Sequence, residues 1–186
     1  SVISIANTMD KLLQRYNSQL DNTEMAFVRY PQDAIQWSAR LNAILGARGV
    51  GKTTLLFQHI KLSHQRDISL VVFADDIYFA NHTLLDLADD FYKNGGKYLY
   101  IDEVHKYANW STEIKNIYDQ IPGLNIVYTG SSILDLEKGG ADLSRRQLKN
   151  YMYGMSFREW LHMTKGIEVP TLTLDQILSG KIEFPY

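Results

Sequence analysis

The 186 residues contain no cysteine, which excludes a disulfide framework and thiol-based metal sites. Nowhere does an apolar run approach the roughly 20 residues needed to span a bilayer. The amino terminus lacks a basic segment ahead of an apolar stretch, so no signal peptide is read and cytoplasmic is the default expectation. Charge is nearly balanced, 19 Lys and Arg against 21 Asp and Glu, for a net of −2. Bulk electrostatics therefore gives no argument for nucleic-acid binding, and only a local basic patch would support it. The twelve tyrosines and three tryptophans are scattered, without the alternation of basic and aromatic residues that marks a nucleic-acid platform. The five histidines show neither H-E-x-x-H nor another metal spacing, and no serine sits in a G-x-S-x-G context. Repeats and low-complexity segments are also missing. What remains is an ordinary globular composition, 45% hydrophobic and 22% charged, at a length suited to one domain with a real core.

One stretch carries a specific chemistry. An apolar run from Leu41 to Leu45 breaks at Gly46 and passes through Ala47-Arg48-Gly49-Val50-Gly51 into Lys52-Thr53-Thr54-Leu55-Leu56. The pattern is G-x-x-x-x-G-K-T, the phosphate-binding P-loop, placed between a strand and a helix as it must be. Gly46, Gly49 and Gly51 let the backbone take turns that side chains forbid and bring N–H groups close to a phosphate. The helix starting near Gly51 adds free N–H groups and the positive end of its dipole. Lys52 brings a full charge to the β- and γ-phosphates, and the Thr53 hydroxyl suits Mg²⁺. For Arg48, surface exposure and phosphate contact are equally compatible with the pattern.

Around the loop the chain alternates strands and helices. Met9, Leu12, Leu13, Tyr16 and Leu20 give an amphipathic helix over 7–20, with Asn7 or Thr8 as its cap. Residues 21–40 read as a connector with a short helix around 33–39. The P-loop strand (41–46) and helix (52–64) follow, then strands at 68–74, 98–101 and 124–128 and helices at 83–93 and 110–120. Residues 135–146 read as a mobile polar loop, 149–155 as a fifth strand, and Ser156 with Glu159 as a capping-box helix start. A last helix begins at Thr173. Such alternation indicates βαβ units and a parallel sheet, whose ligands sit beyond the carboxyl ends of the strands. The notable polar residues fall at those ends.

Hydrolysis needs more than a cradle: a metal held against the phosphates and a group to activate water. Asp102, after four apolar residues, can hold Mg²⁺ through bound water, and Glu103 can polarise the attacking water. Thr129 and Ser131, past the fourth strand, offer hydroxyls to sense the γ-phosphate, although Gly-Ser-Ser is also a turn signal. Arg145 and Arg146 are either a solvated pair or cations for the transferring phosphate.

Together, G-A-R-G-V-G-K-T-T-L-L (46–56), Y-L-Y-I-D-E-V-H-K (98–106) with Trp110, Y-T-G-S-S (128–132), A-D-L-S-R-R (141–146) and S-F-R-E-W-L (156–161) resemble the AAA-like P-loop ATPases of bacteria and archaea. The resemblance implies an α/β, three-layer P-loop NTPase fold with a central, mainly parallel five-stranded sheet flanked by helices. In that sheet the strand ending at Thr129 lies between those carrying Lys52 and Asp102. It further implies ATP and Mg²⁺ as cofactors, Lys52 and Thr53 as the loop's functional pair, Asp102 and Glu103 as the strand-end acids and Ser131 as a sensor hydroxyl. Arg146 matches the arginine kept in that loop, with Arg145 in place of the usual small residue before it. Asp76 matches an acid after the second strand. The expected organisation is a helix and connector (1–40) on an ATPase domain (41–165). The tail, 166–186, reads as the start of a second domain where relatives continue. Expected activity is Mg²⁺-dependent cleavage of the β–γ bond, driving a conformational change read by a protein partner or by that second domain. The alternative is a nucleotide-gated interaction module with little turnover. A small-molecule kinase fits less well, since Glu103 directly after Asp102 suits water activation.

Overall fold

The computed structural model describes residues 2–130 and 143–180, with side chains from Met9 onward. Five strands, β1 (Leu41–Leu45), β2 (Ser69–Phe73), β3 (Tyr98–Asp102), β4 (Asn125–Gly130) and β5 (Leu148–Tyr151), form one sheet in the order β2-β3-β4-β1-β5. Every pairing is parallel, so the sheet is wholly rather than mainly parallel. β4 does lie between β3 and β1. Four of the strands are nearly continuous apolar runs because both faces of a parallel sheet are covered.

Seven α-helices are described: α1 (Val2–Asp21), α2 (Pro31–Ala34), α3 (Lys52–Leu62), α4 (Leu84–Lys93), α5 (Trp110–Gln120), α6 (Phe157–Lys165) and α7 (Leu174–Ser179). Right-handed crossovers place α3 on one face and α4 and α5 on the other. The packing agrees: α1 lies on α3 and β2, and α4 lies on α5. Helix α3 is buried on nearly every side, with Leu55, Leu56, Phe57 and Ile60 all in the core. It is therefore less amphipathic than α4, whose single buried face carries Leu84, Leu87, Ala88 and Phe91. On α1 the core-facing residues are Leu12, Tyr16 and Leu20; Tyr16 stacks on Phe57 and donates to the Arg66 carbonyl at 3.0 Å. Among the described residues no helix is long and apolar enough to cross a membrane.

Several boundaries differ from expectation. α1 already runs through Asn7 and Thr8, so neither caps it. The connector helix is α2, earlier and shorter than 33–39, because Pro31 opens it and Ile35 is already extended. β5 stops at Tyr151, before the expected 155. Thr83, Ser156 and Thr173 each form a capping box, with Asp86, Glu159 and Gln176 respectively. The expected mobile loop falls mainly outside the described residues; 143–146 is a turn.

Candidate functional site

The site is assembled where β1, β4 and β3 end. Gly46 lies directly after β1, at a point where a Cβ would stand 2.2 Å from the Met152 carbonyl oxygen, so no side chain fits. Gly51 precedes α3 at φ 94, a conformation that glycine reaches without strain. Lys52 opens the helix and is 6% exposed. Its Nζ donates to the carbonyls of Gly46 at 2.9 Å and Ala47 at 2.8 Å, closing the loop on itself. Burial lowers the Lys52 pKa from its ordinary value, against the opposing pull of Asp102 and Glu103.

Asp102, 2% exposed, accepts two hydroxyl hydrogen bonds. Thr53 Oγ1 donates to its Oδ2 at 2.6 Å, and Thr129 Oγ1 donates to its Oδ1. Thr129 Oγ1 in turn accepts from the Glu103 backbone N–H at 2.9 Å. A single chain of contacts thus links helix α3, the end of β3 and the end of β4. It exists because β4 is inserted between β1 and β3, so its Thr129 faces the acid pair from the neighbouring strand.

Glu103 has φ 52 and ψ 48, a left-handed backbone that is uncommon for a residue with a side chain. Strain of this kind clusters at functional sites. Its carboxylate pairs with Lys106 Nζ at 2.5 Å, and the same ammonium pairs with Asp75 at 2.7 Å. The Lys106 hydrogen bond is the main reason both carboxylates titrate below their ordinary range. The exposed Arg48 adds a further positive field at Glu103.

Asp76 does something else. It caps the following turn by accepting from the Tyr78 N–H at 2.9 Å, and it pairs with Arg15 of α1 at 2.6 Å. Asp75, one residue earlier, is the acid that shares Lys106 with Glu103.

Ser131 lies outside the described residues. Arg146 is described, and it is not brought to the P-loop of its own chain. It precedes β5 by two residues, and Leu148 is in register with Asn42, so Arg146 is level with the start of β1. Gly46 lies at the opposite end of the sheet, just past the last residue of β1. Its guanidinium pairs with Asp119, near the end of α5, at 3.0 Å. Arg145, its exposed neighbour in the same turn, shares that edge.

Two features had no signal in the sequence. The first is Arg29, whose guanidinium forks onto Glu159 at 2.7 and 3.3 Å and donates to the P-loop carbonyl of Val50 at 2.6 Å. Burial raises the Glu159 pKa, but hydrogen bonds from Arg29, Ser156 and the Tyr30 N–H outweigh it and bring the value to about 2. An unfolded glutamate titrates near 4.5. The contribution to stability is therefore complete above about pH 4.5 and declines as the pH falls toward about 2, because only the unfolded chain takes up the proton. Thermal melts of wild type and Glu159→Gln are expected to differ most near neutral pH and to converge on acidification; a gap independent of pH contradicts this. The second is an apolar cavity of about 440 Å³ beside the loop, lined by Phe27, Val50, Thr54, Met155 and Met163 among others. Gln58 holds its rim by donating to the carbonyls of Glu24 at 2.9 Å and Phe27 at 2.8 Å.

Among the described residues no cluster of three His, Asp or Glu side chains is arranged to hold a metal by itself. The donor set instead fits Mg²⁺, which takes one or two protein oxygens and completes its shell with phosphate and water. Thr53 Oγ1 and Asp102 Oδ2 are two such hard oxygens, adjacent at the mouth of the loop.

Comparison with known proteins matches residues 38–161 to a family described as AAA domain. The chain is 30% identical over 184 residues to the uncharacterized protein MJ1637 of Methanocaldococcus jannaschii, an alignment covering 92% of this chain. It spans 38% of that relative's length. Among solved structures, PCH-2 of C. elegans superposes with a TM-score of 0.48 at 14% identity, over 84% of this chain and 54% of that one.

Proposed function

Because the chain belongs to the AAA domain family, we propose that it is an ATP-binding, Mg²⁺-dependent ATPase that cleaves the β–γ bond and turns the cleavage into a conformational change. The observation that carries this reading is the contact chain Thr53–Asp102–Thr129–Glu103 beside Lys52. The loop N–H groups and Lys52 bind and neutralise the phosphates. Thr53 and Asp102 would hold the metal, which supplies charge stabilisation to the phosphoryl oxygens. Thr129 fixes the backbone at Glu103, so its carboxylate is poised over the strand ends. There it accepts a proton from water as the water oxygen bonds to the γ-phosphorus, and ADP departs with the bridging oxygen. The apolar cavity beside the loop is of a size and character suited to a base, with Phe27 and two methionines as its walls.

A calorimetric titration tests the reading. ATP is expected to bind with magnesium and about tenfold more weakly in a chelator, a difference of about 1.4 kcal/mol. Absence of ATP binding in both conditions refutes it. A nucleotide-gated interaction module with slow turnover is the second reading, and the Lys106 pairing favours it by holding the Glu103 carboxylate away from the role of base. Tight ATP binding with negligible phosphate release would select that reading.

A further inference from the structure

The Arg29 guanidinium is an expensive group to bury, and its surroundings account for almost all of its donors. Arg29 is 9% exposed. Its Nε and Nη2 groups fork onto Glu159, Nη2 also reaches the Tyr153 carbonyl at 3.1 Å, and Nη1 donates to the Val50 carbonyl at 2.6 Å. Glu159 is equally occupied, accepting from the Tyr30 N–H at 3.0 Å and from the Ser156 N–H and hydroxyl at 2.9 and 3.0 Å. A buried ion pair adds little net stability over apolar residues of similar volume. The contact that points outside this closed set of partners is the one to Val50.

The Val50 carbonyl and the Gly51 N–H belong to one planar trans peptide and point in opposite directions. Holding the carbonyl toward Arg29 turns the N–H away from it. Gly51 sits at φ 94, and glycine populates positive and negative φ with similar ease. The residue type alone therefore does nothing to prevent that peptide from flipping and withdrawing its N–H. On the other arm of the loop, the carbonyls of Gly46 and Ala47 are held by Lys52. The peptide before Gly51 is held by Arg29.

We infer that Arg29 is a positioning residue for the phosphate cradle: it fixes the Val50–Gly51 peptide so that the Gly51 N–H is presented to a diphosphate. This rests on the P-loop binding nucleotide phosphates, as proposed above.

The test uses titrations with pyrophosphate and with ADP, alongside thermal melts. The double variant Arg29→Met/Glu159→Gln removes both buried charges together and keeps a residue able to complete the Ser156 capping box, so it is expected to fold. It should bind pyrophosphate and ADP roughly 10–100-fold more weakly, by the same factor for each, the scale of losing one well-aimed hydrogen bond to a charged group. Glu159→Gln alone keeps the Arg29 donor on Val50 and should melt lower while holding pyrophosphate affinity within about threefold. A folded double variant with wild-type pyrophosphate affinity overturns the inference. So does a loss confined to ADP, which would place the role of Arg29 in the apolar cavity it borders. Equal losses in the single and double variants would overturn it as well, by assigning the effect to the ion pair. Wild-type protein that binds neither probe sinks the nucleotide reading itself, a separate result.

Discussion

Glu103→Gln is expected to slow phosphate release by roughly 10²–10⁴-fold, the usual contribution of a positioned general base, while ATP still binds. The substitution keeps the size of the side chain and the left-handed backbone at φ 52. It also leaves the Glu103 N–H free to donate to Thr129, so the geometry of Asp102 is retained. What disappears is the capacity to accept a proton. The amide loses the ion pair to Lys106 too, but that pairing opposes rather than assists proton acceptance. Phosphate release under saturating ATP, compared with a binding titration on the same variant, separates the two effects. Unchanged release would remove Glu103 from its role and shift weight to the slow, gated reading.

Lys52→Ala should weaken ATP binding by about 30-fold to 10³-fold, the range expected when one partner of a desolvated charged contact is truncated. Two losses combine. The phosphates lose a full charge at close range, and the carbonyls of Gly46 and Ala47 lose the ammonium that gathers them. A gently destabilised loop would lower the melting temperature without abolishing affinity, so melts must accompany the titration. Equal ATP binding by wild type and variant contradicts the assignment of the phosphate site.

Much of this architecture was readable because its signals are local. The P-loop is contiguous, the strands are short apolar runs, and one helix start announces itself through residues three apart, Ser156 with Glu159; the structure adds the same pairing at Thr83 with Asp86 and at Thr173 with Gln176. The position of β4 between β1 and β3 came from resemblance, since no local pattern encodes strand order. Contacts between distant segments left no trace at all. Arg29 and Glu159 are 130 residues apart, and Glu159 already had a local explanation as a cap. Asp75 and Asp76 are distinguishable only once the turn after β2 shows which carboxylate faces Lys106 and which caps the chain. Lys106 itself lies three residues from Glu103, close enough to be noticed, but its pairing depends on the turn that follows β3.

The placement of Arg146 has a consequence for kinetic order. Bonded to Asp119 and level with the start of β1, this guanidinium cannot touch a phosphate held at Gly46 of the same chain. Any stabilisation it gives directly to the transferring phosphate must come from one molecule acting on another. On the ATPase reading proposed above, specific activity that depends on Arg146 in this way is expected to rise with protein concentration and to vanish on dilution, whereas any share owed to Lys52, Asp102 and Glu103 would be the same for each molecule however few there are.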